Sequence, residues 1–435
     1  SWSCIIVKPL RIGLAGLGTV GIGVIRLLRE NADLITARAG RPIEVVAITA
    51  RDRTRDRGAD LSAMRWHDSA TAVAQDPEID VAVELIGGSE GPAHDMVRTA
   101  LERGLPVVTA NKALVALHGD SLSRLSSEKN APLLFEAAVA GGIPAIKLVR
   151  EGLAADRLLS VGGILNGTCN YILTEMRATG RDFTDVLTEA QAKGYAEAEP
   201  STDVDGWDTA HKLAILAGLA FRPIAFKTLS VQGIRDITAT DLKFADELGY
   251  RIKLLGMARQ AENGSVAAWV RPCLVPAKAP IAAVDGVFNA VSTQGVFSGP
   301  MTISGRGAGE GPTASAVVAD LIDLARGTAI PVWGTTSVSP AADCASLADL
   351  NSAFYLRLNV QDRPGVMAEL TSVLRDHDVS VHFVSQHDAA TGCADLTIIT
   401  HQVPEKAIHA AATALAVLPV VTGKPLVLKI EDPLA

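Results

Sequence analysis

Several things are scarce in this chain, and each scarcity excludes a class of protein. The five cysteines, Cys4, Cys169, Cys273, Cys344 and Cys393, are scattered through 435 residues and odd in number, and none forms a CxxC pair. That excludes a disulfide framework and a zinc knuckle, and it fits a reducing cytoplasm. Positive charge is not in excess: the formal net charge is -8 and no basic stripe appears, which argues against a nucleic-acid partner. The longest apolar runs, such as Leu213–Phe221 and Ala410–Val421, are too short to span a bilayer. The opening residues, Ser-Trp-Ser-Cys-Ile-Ile-Val-Lys, do not follow the plan of a secretory signal. A cytoplasmic protein without a membrane partner is expected. Aromatics make up only 4% of the chain, whereas hydrophobic residues make up 48%. Alanine, valine, leucine and glycine dominate, as suits an α/β enzyme with buried parallel strands. The length implies two or three domains rather than one core.

The first domain reads as a dinucleotide fold. An apolar strand over Leu10–Ala15 runs into Gly16-Leu-Gly18-Thr-Val-Gly21 and then a helical pattern to Glu30. Strand, GxGxxG and helix in that order place a pyrophosphate at a helix N-terminus. Further strands are expected at Ile43–Thr49, Asp80–Leu85, Val107–Thr109 and Leu133–Glu136. Between them lie helices near Ser69–Ala74, Ala93–Arg103 and Gly119–Asn130. Such alternation implies a parallel sheet that binds ligands at the carboxyl ends of its strands. The cofactor candidates are therefore Gly16, Gly18, Thr19, Val20, Gly21, Arg51, Gly87, Ser89 and Lys112. The second strand ends Thr49-Ala50-Arg51-Asp52-Arg53: the arginines favour the 2′-phosphate of NADP(H), while Asp52 leaves NAD(H) open.

The middle of the chain carries the chemistry. Glu136-Ala-Ala-Val139-Ala-Gly141-Gly142-Ile143 reads either as a domain junction, which its spacing favours, or as a cation site of backbone oxygens. A strand from Leu158 ends in the polar knot Asn166-Gly-Thr168-Cys-Asn170-Tyr171, followed by helices at Tyr171–Ala178 and Phe183–Ala192. Then Gln191–Lys212 sets Glu197, Glu199, Asp203, Asp205 and Asp208 between Lys193 and Lys212. Asp203 or Asp205 can cap a helix beginning near Gly206. Asp208 and Lys212 share one helix face, and a lysine so paired can protonate an alkoxide. The plain alternative is a surface salt bridge of little consequence. Near Thr302–Gly311 a second glycine-rich turn opens a helix at Thr313–Arg326, facing the cofactor or serving as a plain turn with Pro312 at the first helical position. After a linker, the pattern becomes βαββαβ from Phe354 to Ile430, a ferredoxin-like unit. The expected division is 1–140, a Rossmann-type doubly wound domain; 141–335, an α+β catalytic and dimerisation domain, with helix 313–326 packing back on the first; 336–352, a linker; and 353–435, the terminal module.

The turn Asp362-Arg-Pro-Gly-Val366 resembles the ACT family of amino-acid-binding domains. The chain as a whole resembles homoserine dehydrogenases bearing an ACT domain. The resemblance rests on Ala110-Asn-Lys112, Asn166 through Ile172, Lys193-Gly-Tyr-Ala-Glu197, Asp203 through Lys212 and Gly305-Arg-Gly-Ala-Gly309. It implies Lys212 as proton donor, Glu197 and Asp208 as binders of the amino-acid part, Asp203 as the group that orients the lysine, and Lys112 at the boundary of cofactor and substrate. It places Gly194 and Gly309 near the cofactor, and it implies a Na+ or K+ site at Glu136, Val139, Gly141 and Ile143. Threonine as an effector at the ACT module and a homodimer or homotetramer follow from the same resemblance. Glu199 stands where the family often has aspartate. The implied reaction is NAD(P)H-dependent reduction of L-aspartate 4-semialdehyde to L-homoserine. Two rivals stand beside it: a semialdehyde oxidoreductase using the Cys169 thiol, and a non-catalytic amino-acid sensor.

Overall fold

A computed structural model of the chain describes residues 7–337, 339–390 and 392–435. Most of the opening segment, including Cys4, lies outside them. The first domain is β1 (Leu10–Ala15), α1 (Thr19–Glu30), α2 (Ala32–Ala39), β2 (Ile43–Thr49), β3 (Arg65–Trp66), α3 (Ala70–Ala74), β4 (Val81–Glu84), α4 (Pro92–Glu102), β5 (Val107–Thr109), α5 (Lys112–Lys129) and β6 (Leu133–Leu134). These strands form one sheet in the order β3-β2-β1-β4-β5-β6, with parallel pairings throughout. The order reverses between β1 and β4, so the ligand crevice opens at their carboxyl ends.

The middle domain begins with α6 (Ala145–Lys147), β7 (Leu158–Ile164), α7 (Gly167–Thr179), α8 (Phe183–Ala192), α9 (Ser201–Val204) and α10 (Trp207–Ala220). It continues with β8 (Ser230–Val231), α11 (Ala239–Glu247), β9 (Tyr250–Gln260), β10 (Val266–Pro276), β11 (Phe288–Gly295), β12 (Gly299–Arg306) and α12 (Glu310–Ala325). Its strands run β12-β11-β7-β9-β10, with α7, α10 and α11 packed on the sheet. Helix α12 returns to the first domain: Ala314, Val317 and Leu321 share a core with Ile12, Leu14 and Val24.

The tail comprises β13 (Asn351–Ser352), β14 (Phe354–Gln361), α13 (Val366–Asp376), β15 (Val381–Asp388), β16 (Cys393–Thr400), β17 (Val403–Pro404), α14 (Glu405–Ala416) and β18 (Val421–Ile430). The order β18-β14-β16-β15 is that of a ferredoxin-like sheet. This sheet continues the middle one, because β18 pairs in parallel with β10. Asp241 of α11 reinforces the seam, accepting hydrogen bonds from the Tyr355 hydroxyl at 2.9 Å and from Arg357. Across the same seam the Lys429 ammonium lies 3.8 Å from the ring centre of Trp269.

Several expected boundaries shift, each for a local reason. Helix α5 starts at Lys112 rather than Gly119, because Asn111 caps it; Gly119 lies inside it, where a Cβ would come within 2.7 Å of the Trp333 ring. Helix α7 starts at Gly167 rather than Tyr171, capped by Asn166. Helix α12 starts at Glu310 rather than Thr313, so Pro312 falls at its third position, still within the first turn, where no amide partner is needed. Strand β6 ends at Leu134, and Glu136 opens a short 3-10 turn. The stretch expected to be a linker, 336–352, is anchored at two points: Cys344 donates its N–H to Thr228 Oγ1, and β13 pairs with β17. Among the described residues no helix is long and apolar enough to cross a membrane.

Candidate active site

The glycine turn has the shape its sequence requires. Gly16 sits at φ 99°, and a Cβ there would meet the Leu85 carbonyl oxygen at 2.4 Å. Gly21 lies so close to the Gly16 carbonyl that a Cβ would come within 2.0 Å. A Cβ on Gly18, by contrast, would meet nothing within 4 Å, leaving the start of α1 open to an incoming phosphate. Thr19 and Val20 begin α1, and Arg51, Gly87, Ser89 and Lys112 follow β2, β4 and β5 at the same sheet edge. This crevice therefore fits a dinucleotide.

A carboxylate invisible to motif reading shapes the crevice. Glu84, fully buried at the end of β4, accepts the N–H groups of Ile86 and Gly87 on one oxygen and the Thr109 hydroxyl on the other. Thr109 Oγ1 in turn accepts the Asn111 N–H, and the Asn111 side chain donates to the Gly88 carbonyl at 2.6 Å. The two loops that flank the crevice are thereby tied together, and Lys112 is fixed as the first residue of α5. The one signal in the sequence is an acid closing the apolar run Val81-Ala-Val-Glu84.

Facing that edge, the end of β7 and the start of α10 bring the charged residues together. Asp208 is 4% exposed, and its two oxygens hold two lysines: Oδ1 lies 2.9 Å from Lys112 Nζ and Oδ2 accepts from Lys212 at 2.7 Å. Lys212, 9% exposed, also donates to the Leu165 carbonyl at 2.8 Å. An ammonium carries three N–H bonds. Among the described residues, two of those on Lys212 are therefore committed and one is left for substrate.

The electrostatics follow from this packing. Burial would raise the Asp208 carboxyl, but Lys212 and then Lys112 override it and hold it far below the usual range. Asp208 pulls the more exposed Lys112 upward. Lys212 is pushed down, by burial first and also by the like charge of Lys112, although Asp208 acts against both. Asp203 is raised by burial and by Asp208.

The remaining expectations divide. Glu197 is exposed on the loop beside this group, close enough to act on Lys112. Gly194 turns the same loop at φ 76°, and Gly309 starts α12 at φ 114°. The carboxylate that hydrogen-bonds Lys212 is Asp208; Asp203 bonds Asn166, which also bonds Asp208, and acts on the two lysines through its charge. Neither Asp203 nor Asp205 caps α10, whose cap position is taken by Gly206 at φ 90°, and Asp205 pairs instead with Arg235. Lys193 lies apart from the cluster, donating to Glu189 and to the Tyr171 hydroxyl. Asn170 is a structural tie, bonded to the Val284 and Phe288 carbonyls and to Lys253. Cys169 is fully buried, and burial holds its thiol well above the usual range, which removes the thiolate a thiol-dependent oxidoreductase needs.

At the expected cation loop, Ala140 and Gly141 have φ of 58° and 51°, turning successive carbonyls. Among the described residues no donor lies on the Val139 or Gly141 carbonyl, whereas that of Ile143 accepts the Ala145 N–H. The Glu136 carboxylate caps α6 through the Ile146 and Lys147 N–H groups. Burial and the neighbouring Asp320 push the Glu136 carboxyl up to about 8. No group of three or more acidic, histidine or cysteine ligands occurs among the described residues, so a cation here would rest chiefly on carbonyls.

Three family models match the chain: the homoserine dehydrogenase NAD-binding domain over residues 16–136, homoserine dehydrogenase over 144–322 and the ACT domain over 354–420. A homoserine dehydrogenase of Pseudomonas aeruginosa is 45% identical, covering 98% of this chain and 99% of that protein. One from Neisseria gonorrhoeae is 43% identical over the same shares. The crystal structure of a homoserine dehydrogenase from Thiobacillus denitrificans superposes with a TM-score of 0.89 at 44% identity, covering 98% of this chain and 99% of that one. A hyperthermophilic archaeal homoserine dehydrogenase in complex with NADPH gives 0.63 at 26% identity, over 73% of this chain and 97% of that one. The matched ranges take in the glycine crevice, the lysine pair and the ACT module, and the chain belongs to the homoserine dehydrogenase family.

Proposed function

We propose that the cleft interconverts L-aspartate 4-semialdehyde and L-homoserine, with Lys212 as the proton donor to the aldehyde oxygen. The observation that carries this reading is the Lys112–Asp208–Lys212 bridge, which joins the dinucleotide edge to a buried, polarised lysine. A bound nicotinamide dinucleotide supplies the hydride that reduces the aldehyde carbon. As that C–H bond forms, the carbonyl π pair moves to oxygen, and the free N–H of Lys212 delivers its proton there. Lys212 is left neutral, held by Asp208 and the Leu165 carbonyl. Its lowered pKa makes it a stronger acid than a solvated lysine. Reduction therefore falls as pH rises through that lowered value, and homoserine oxidation, which needs the neutral amine, rises. Lys112 adds positive charge where the oxyanion grows.

Asp208, whose oxygens hold the two lysines, and Glu197 on the adjoining loop together take the amino-acid part of the substrate. Substituting Glu197 with Gln is expected to raise the KM for homoserine by about 10-fold and leave kcat within about 2-fold. Steady-state kinetics check it; an unchanged KM contradicts the role.

The cofactor reading favours NADP(H). Asp52 turns one oxygen, Oδ1, to the Thr54 N–H and hydroxyl, whereas Arg51 is exposed and Arg53 lies over Trp66. Replacing Arg51 with Ala should raise the KM for NADP+ by about 10-fold and leave that for NAD+ unchanged. Equal effects on both cofactors would remove Arg51 from the 2′-phosphate site.

The open Val139 and Gly141 carbonyls beside buried Glu136 support a Na+ or K+ there. A cavity of about 240 Å³ lined by Gln361, Asp362, Arg363, Gly365 and Gln386 supports an amino-acid effector such as threonine. Exposed Leu159 of β7 and Val296 and Phe297 of the turn between β11 and β12 support self-association, as a homodimer or homotetramer.

A further inference from the structure

We infer that Asn166 is a positioning residue of the cleft, whose single amide bridges Asp203 and Asp208 and holds each carboxylate in place for its own task. This rests on the reading of the cleft given above. The side chain is 5% exposed, at the seam between β7 and α7. Its Oδ1 accepts the Cys169 N–H at 2.8 Å and so caps α7. Both protons of its Nδ2 are used as well, one on Asp203 Oδ1 and one on Asp208 Oδ2, each at 2.8 Å.

Capping alone does not explain the choice of asparagine. Aspartate and serine cap a helix about as well. Aspartate would set a third carboxylate between two others, and serine lacks an NH2 group to reach either. A short neutral side chain that accepts one bond and donates two, in a plane, is an asparagine. The two carboxylates come from different helices, α9 and α10, and burial and mutual repulsion both favour protonation of Asp203; the Asn166 amide opposes this. Among the described residues, the other charged or titratable groups around the pair are Lys112 from α5, Lys212 and His211 from α10, Glu197 from the loop before α9, Cys169 from α7 and, at the end of α9, Asp205, which pairs with Arg235. Only His211, stacked on Phe226 and pushed down by burial, gains charge in acid alongside the carboxylates.

The test is the pH profile of kcat/KM for aldehyde reduction in wild type, Asn166→Ser and Asn166→Asp, each also in a His211→Gln background. Wild-type turnover checks the reading of the cleft; its absence would remove that reading before Asn166 is at issue. With the wild type active, each variant should lose about 10- to 100-fold in kcat/KM near neutrality. The acidic limb should move to higher pH, further for the aspartate, because a carboxylate without its donor is protonated sooner, and the shift should persist without His211. A purely structural cap would lower thermal stability at most and leave the limb where it is. An unmoved limb in either folded variant overturns the proposal, and the serine variant keeps the cap if the aspartate fails to fold.

Discussion

Replacing Lys212 with Ala is expected to lower kcat for aldehyde reduction by about 100- to 10,000-fold, the usual contribution of a positioned general acid. The substitution removes the buried ammonium whose third N–H is left for substrate and whose pKa burial lowers. Asp208 keeps Lys112 and the Asn166 amide as partners, so it is not stranded, and the fold should survive. Arginine should not rescue, because a guanidinium does not release a proton near neutrality. Steady-state rates together with a thermal melt check both halves. Turnover within about 2-fold of wild type would show that the proton comes from elsewhere.

The second large effect is expected at Asp208, and it differs in kind. Asp208→Asn leaves the shape and removes the charge shared by two lysines. Lys212, 9% exposed, would then face Lys112 with Asp203 as the remaining countercharge. Breaking a buried ion pair by neutralising one partner costs about 3–5 kcal/mol of stability. The same change removes the main upward pull on Lys212. Its pKa falls further, and the pH at which reduction fades moves down. A melt and a pH–rate profile read the two consequences separately. Unchanged stability with an unchanged profile would mean that the bridge contributes neither.

Much of this architecture is legible in the amino-acid sequence. Gly16, Gly18 and Gly21 between a buried strand and a helix define a crevice whatever surrounds it. Asp208 and Lys212, four apart on one helix, have to meet, and they do at 2.7 Å. The ACT module shows itself in strand spacing and in the Pro364-Gly365 turn. Other features have no local signature. Lys112 reaches Asp208 across two domains, and nothing near either residue announces it. The bond from the Asn166 amide to Asp203 likewise joins residues 37 apart in the chain and has no local signature. The parallel pairing of β10 with β18, which fuses two sheets, involves Cys273 and Leu274 opposite Lys429 and Ile430 and arises only from the tertiary fold. Glu84 escapes motif reading because a single acid at a strand end resembles any loop charge until its three donors are seen.

The most direct measurement is the initial rate at which the purified chain oxidises NADPH in the presence of L-aspartate 4-semialdehyde, with the product identified. The lysine bridge predicts turnover that yields L-homoserine and is abolished in the Lys212→Ala protein. No turnover by the wild-type chain, or homoserine formed equally well without Lys212, would contradict it.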